Sequence, residues 1–394
     1  MKEVWITGLG LVSPLGEGRA AHLAALDSGA LPPVDTAAFA PFLIHPATAL
    51  TLDRQIPKKG DQRQMEAWQR LGTYAAGLAL DDAGARPLVA EMDLFVAAGG
   101  GERDLALDEA VLAELGAMPA EAAALRLNEM LAGGLRPTLF LAQLANLLAG
   151  NISIVHGVTG ASRTLMGEEV AGAEALRVAS LRLAEGRASA ALVGGAFSAP
   201  RWDTFMAYAS AGLLRRDAPF APVFGRDDAP GAVPASLGAF LVIETAEAAR
   251  ARGQRGLARV AGVATGMARA GAAAADHLAL LARLPIGPGP LVIVSAASGA
   301  DGPMAAERAF LAGLNRVAPL RAAGSRLGWG VEATVPASTA LAALMLAEGR
   351  LPAPLEAAEA PFDEAPGQIL VSSFGAWKGE ALALLARIPA EDQP

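Results

Sequence analysis

The chain has 394 residues, of which 53% are hydrophobic, and a formal net charge of −8, with four histidines and no cysteine. Such a length buries a large core and allows two or three domain-sized units, or one large duplicated body. The acidic balance argues against nucleic acid as a partner, and the missing cysteines exclude disulfides, thiolate metal sites and thiol nucleophiles together.

The N-terminus, MKEVWITGLG, lacks a signal peptide's long apolar region and cleavage site, so a cytoplasmic protein is expected. Short apolar or β-branched runs predict strands at 4–9, 93–98, 152–156, 189–195, 239–244, 257–265, 291–296 and 369–374. Between them, Ala/Leu-rich stretches at helical spacing predict helices over 62–83, 168–185, 303–313 and 336–348. This alternation means an α/β fold, and strands that are apolar throughout mean sheets covered on both faces. The uncharged run 137–162 is interrupted by Gln143, Asn146, Asn151 and His156, so it reads as a buried helix followed by a buried strand, with no membrane span. The charged segment 245–256 separates two sets of strands, which predicts two similar halves, 1–247 and 248–394.

Gly8 and Gly10 follow a strand as in a dinucleotide-binding turn. Ser13 and Pro14 then stand where the third glycine and a helix start are required, so no nicotinamide, flavin or other cofactor is expected. The histidines lie at none of the short spacings that metal sites use, so no metal is expected either. His22, His45 and His277 read as surface or locally bonded residues, His156 as a satisfied structural one, and Arg215, Arg216 and Arg252 as solvated. Glu168 and Glu169 read locally as first-turn acids on a helix dipole.

Six stretches in order carry a resemblance: VWITGLGLVSPLG, RLGTYAAGLALDDAG, LANLLAGNISIVHGVTGAS, AEGRASAALVGGAFS, LGAFLVIETAEAARARG and VSSFGAWKGEALALL. The chain resembles a β-ketoacyl synthase of the thiolase superfamily over nearly its whole length. The resemblance implies two βαβαβαββ halves in an α-β-α-β-α sandwich. It also implies a site built from a cysteine at a helix start, two histidines and a lysine. There a thiolate takes an acyl chain from a carrier protein, and oxyanion donors assist decarboxylative condensation.

Carried across residue by residue, the cysteine position falls on Glu169, the first histidine on Ala297, the second on Trp329 and the lysine on Gly324. None of these retains the family's chemistry, so no catalytic residue is expected. Synthases silenced in this way are similar to the chain-length factor of type II polyketide pathways, such as those for aromatic polyketides and aryl polyenes, where a Gly-Glu-Gln triplet replaces the cysteine region. Here it is Gly167-Glu168-Glu169, and an ionised glutamate cannot donate the hydrogen bond a glutamine can.

The resemblance therefore implies a non-catalytic subunit that pairs with a cysteine-bearing ketosynthase, meets the acyl carrier protein through that complex and shapes the acyl tunnel. The segment RPTLFLAQ, with Leu139 and Phe140, is expected to reach the partner's pocket, and Phe374 to line it. Core packing is the ordinary alternative for all three. Two other readings remain: a malonyl-carrier decarboxylase of the priming type, and a homodimeric acyl-binding protein.

Overall fold

The computed structural model describes residues 1–101, 103–136, 139–267, 274–316 and 318–394. In chain order the strands are β1 (Val4–Ser13), β2 (Gly16–Glu17), β3 (Asp93–Ala97), β4 (Ser162–Leu165), β5 (Ala190–Phe197), β6 (Leu237–Thr245), β7 (Ala258–Gly266), β8 (Leu291–Ser295), β9 (Leu320–Ala322), β10 (Gln368–Phe374) and β11 (Glu380–Ala386). They pair in the order β4-β3-β5-β6-β1-β7-β11-β10-β8-β9, with the short β2 folded back on β1. The order reads the same from both ends. Taking the five longer N-terminal strands and the five C-terminal ones separately, each set runs third, second, fourth, fifth, first from the outer edge inward. The two sets meet through a brief antiparallel contact, Trp5 with Arg259 and Ile6 with Ala258.

Period-two alternation sends neighbouring side chains to different cores. On β6, Leu241 and Ile243 enter a central core while Phe240 and Val242 enter an outer one. On β10, Ile369 and Val371 enter the same central core while Leu370 enters a second outer one. The central core is filled by the helices Glu169–Ala184 and Thr334–Glu348, which pack on each other and on strands of both sets. Helix Ala67–Asp82 covers the first set from outside, and Ala274–Leu281 and Asp301–Ala312 cover the second. Three cores between five layers give the thiolase-like α-β-α-β-α sandwich.

Because the strands are apolar on both faces, they read as continuous hydrophobic runs. The segment Val331–Glu348 is apolar and long enough to cross a bilayer, yet 89% of it is buried within the protein as the central helix. Gly8 and Gly10 serve helix docking. A Cβ at Gly10 would lie 1.9 Å from the Ala75 carbonyl oxygen, and one at Gly8 2.5 Å from the Ala83 nitrogen, so these glycines seat helix Ala67–Asp82 on β1.

One expected strand is a helix. Residues 152–156 belong to helix Leu147–His156, which buries Leu148 and Ile152 in the first outer core and ends on Gly157 at φ 76°. The strand in that place of the fold is the polar edge strand β4, paired in parallel with β3. Of the two alternatives expected for His22, His45 and His277, surface or locally bonded, the structure gives the second, with all three buried. His22 bonds Ser13 Oγ at 2.8 Å and the Gly18 carbonyl at 2.7 Å, and His45 bonds the Pro33 carbonyl at 2.8 Å. Arg215 is buried and donates to the carbonyls of Pro219 and Ala229, while Arg252 is held by Glu244 at 2.6 Å.

Candidate functional site

β4 and helix Glu169–Ala184 are joined by a sharp corner, Met166-Gly167-Glu168. Gly167 has φ 142° and Glu168 φ 58°. The latter is a left-handed backbone that costs a residue with a side chain about 1–3 kcal/mol, and such conformations persist only where the surroundings impose them. The Glu168 carbonyl accepts from the Ala171 N–H at 3.0 Å, starting the helix immediately after the corner. The turn leaves Glu168 half-buried and drives the next side chain inward. Glu169 is 2% exposed.

Inside, the Trp329 indole N–H donates to Glu169 Oε1 at 2.8 Å. Trp329 is aimed by its backbone, whose N–H donates to the Val233 carbonyl at 3.0 Å and whose carbonyl accepts from the Ala235 N–H at 2.7 Å. Oε2 of Glu169 has no partner among the described residues. Burial pushes the Glu169 carboxyl up to about 8; the Glu168 and Glu332 charges push the same way, and its own backbone N–H and the Trp329 indole oppose them. At neutral pH Glu169 therefore holds its proton, which corrects the expectation of an anion on the helix dipole. A protonated carboxyl has one O–H donor besides its acceptors, so the hydrogen-bonding difference from a glutamine largely closes.

Ala297 and Gly324, expected at the first histidine and lysine positions, meet each other. Ala297 is buried with Val223, Met304 and Ala322, and a Cβ at Gly324 would lie 1.9 Å from the Ala297 carbonyl oxygen. No side chain fits at 324 without moving that backbone. The loop after Ala297 is tied instead by the buried Arg226, which donates to the Gly231 and Ser298 carbonyls at 2.8 and 3.3 Å.

The expected tunnel residues fall in three environments. Leu139, at the start of the short helix Leu139–Ala142, is buried, while its neighbour Phe140 is 70% exposed. Of the segment RPTLFLAQ, residues 137–138 lie outside the described residues. Phe374 packs in the second outer core, its ring 5.5 Å from that of Phe310 and 5.0 Å edge-on to that of His277. The His277 imidazole lies 3.0 Å from the Glu380 carboxylate.

A pocket of about 240 Å³ that the sequence reading did not identify has Tyr208, Glu332 and Trp377 among its lining residues. Tyr208 connects it to the degenerate site: its ring lies 4.7 Å from that of Trp329, edge-on, and stacks on Trp377 at 4.9 Å. Burial pushes Glu332 up to about 7, the Glu168 charge adding to the rise and Arg201 opposing it. The pocket's members come from positions 68, 99–101, 196–208, 331–332 and 377, which no local motif links. The one available signal was an acid, Glu332, set in an otherwise apolar stretch. Among the described residues no cluster of three or more His, Cys, Asp or Glu is arranged to hold a metal ion.

Comparison with known proteins places this geometry. The sequence profile of the family described as Beta-ketoacyl synthase, N-terminal domain, matches residues 1–249, and the chain belongs to the β-ketoacyl synthase family. No curated protein sequence matches the chain. Among solved structures it is similar to the ishigamide ketosynthase/chain length factor, at 20% identity over 98% of this chain and 100% of that one, with a TM-score of 0.80. It is similar to a Beta-ketoacyl synthase from Burkholderia phymatum STM815, at 20% identity over 99% and 100% with a TM-score of 0.78. A type II polyketide synthase acyl-carrier protein in complex with its ketosynthase, bound to the hexaketide, matches at 18% identity over 98% and 99%, with a TM-score of 0.74.

Proposed function

We propose that this chain is the non-catalytic, chain-length-factor-like subunit of a ketosynthase heterodimer, pairing with a cysteine-bearing subunit and shaping the acyl or polyketide tunnel. The observation that carries the reading is the occupancy of the nucleophile position. The strained corner and the helix start are present, and what they deliver is a buried Glu169 bonded to Trp329. A carboxyl group there cannot form the family's thioester, Ala297 has no polar side-chain atom, and the one indole N–H is spent on Glu169. That same spent donor leaves the decarboxylase reading without the enolate stabilisation it needs.

Pairing is supported by the edge of the sheet. β4 ends the strand order, its outer edge unpaired among the described residues, and such edges invite a strand or surface from another chain. The elements leading to it expose Phe140, Leu141 and Ile154, and Met166 directly after it is exposed too. The solved neighbours include a protein whose description joins ketosynthase with chain length factor and another in which a ketosynthase meets its acyl-carrier protein. A cysteine-bearing ketosynthase and, through it, a carrier protein are accordingly the partners, in the cytoplasm. The palindromic strand order supports dividing the chain into duplicated halves, 1–247 and 248–394.

The test is co-expression with a type II ketosynthase and its carrier protein. The reading expects a stable complex of the two subunits that elongates malonyl units, and no condensation by either subunit alone. A stable homodimer that ignores the ketosynthase contradicts it.

A further inference from the structure

The pocket beside Tyr208 has a chemistry that tunnel shaping does not call for. Its walls include the aromatic side chains of Trp68, Tyr208 and Trp377, and the carboxyl of Glu332 lies against the Gly99 backbone, where a Cβ would stand only 2.3 Å from Oε1. Gly99 is therefore what makes room for the acid. The cation in the lining is already committed: Arg201 forks onto Asp203 at 2.6 and 3.2 Å and donates to the carbonyls of Gly100 and Gly101 at 3.3 and 2.9 Å. Glu332 forms no ion pair among the described residues, and its raised titration reflects a buried acid whose nearest charged influences are Glu168, which repels, and the committed Arg201.

Trp68 is 2% exposed and lines the pocket, and its indole N–H has no acceptor among the described residues. The Trp68 ring supplies a wall, while its indole nitrogen is shut off from the pocket's solvent-accessible space. Each competing class fails on one count. At about 240 Å³ the pocket falls below the roughly 300 Å³ at which sites for drug-sized ligands begin. An anion meets carboxylates and a spent guanidinium. A hard metal ion asks for several free oxygen ligands, and Glu332 is one carboxyl amid aromatic rings.

We propose that this pocket binds a small organic ammonium ion, held against the aromatic walls and countered by Glu332. Aromatic rings attract a cation through their quadrupole, most strongly where water is excluded, and a facing carboxylate adds direct charge complementarity. The proposal goes beyond the partner reading and is independent of it: loss of pairing leaves the pocket intact, and an empty pocket leaves pairing untouched.

The experiment titrates the purified full chain with choline, followed by calorimetry and tryptophan fluorescence, beside 3,3-dimethyl-1-butanol, the uncharged isostere. Saturable one-to-one binding of choline is expected, with the isostere weaker by about tenfold or more. Glu332→Gln and Trp377→Ala are each expected to weaken choline by about tenfold, with the fold checked by circular dichroism. Trp377 is half exposed at the pocket, so its truncation keeps the test available if Glu332→Gln does not fold. No saturable choline binding, equal binding of the isostere, or binding unchanged in the folded variants overturns the proposal.

Discussion

The Trp329 indole donates to Glu169 across 2.8 Å, joining two residues 160 positions apart onto which the resemblance carries the family's second histidine and its nucleophile. The bond lies in the protein interior, with Glu169 and Trp329 each 2% exposed. Removing either partner leaves a buried polar atom unsatisfied, at a cost of about 1–3 kcal/mol. Trp329→Phe is therefore expected to lower stability by that amount in urea unfolding. The double variant with Glu169→Leu should cost less than the sum of the singles, and additive effects would show that the bond is not coupled to the fold.

Stability should fall as pH rises. Glu169 titrates at about 8, and Glu332 and Glu307 at about 7, in each case because burial disfavours the charged form. A carboxyl whose folded pKa exceeds its unfolded one favours folding fully below the unfolded value, near 4.5, and loses that contribution as pH climbs through the folded value. The melting temperature is expected to decline between pH 5 and about 9. Glu169→Gln should flatten the upper part of the decline. An unchanged slope in this variant would mean that Glu169 is ionised throughout.

Restoring the family's lysine should fail structurally before it can act chemically. A Cβ at Gly324 meets the Ala297 carbonyl oxygen at 1.9 Å, so even Gly324→Ala forces backbone movement. Overpacking of this kind costs about 1–3 kcal/mol, which thermal unfolding reads directly. A Gly324→Lys variant as stable as the parent would show that the loop is free to move.

Phe140 gives the sharpest separation of interface from core. At 70% exposure its substitution should leave the isolated chain's stability within about 0.5 kcal/mol, so Phe140→Glu should fold normally yet lose the ketosynthase in size-exclusion chromatography. Phe140→Trp in the complex should shift the product masses toward shorter chains. Normal pairing by the Glu variant together with an unchanged product profile would remove Phe140 from interface and tunnel alike.

Most of the layered fold was legible because it rests on local signals: apolar runs for two-faced strands and helical spacing for the helices between them. The exception, 152–156, is a β-branched run of the kind periodicity cannot assign, and packing on helix Ala67–Asp82 decided it as helix. β4 was missed because an edge strand needs no apolar face; its Ser-Arg-Thr-Leu has only one large apolar residue. Motif order offers Glu169, Ala297, Gly324 and Trp329 as the degenerate positions. It does not offer the protonation of Glu169, which depends on burial and on Glu332, 163 residues further along the chain by their numbering. The pocket beside Tyr208 was equally hidden, its walls converging from five separate stretches.

On the proposed function, acyl transfer chemistry belongs to the partner and not to this chain. Intact-mass analysis after incubation with acyl-loaded carrier protein tests it most directly, on the chain alone and on the complex with a ketosynthase. The account predicts no acyl adduct on this chain in either sample and an adduct on the ketosynthase in the complex. An acyl mass increment on this chain, lost in Glu169→Ala, would contradict it.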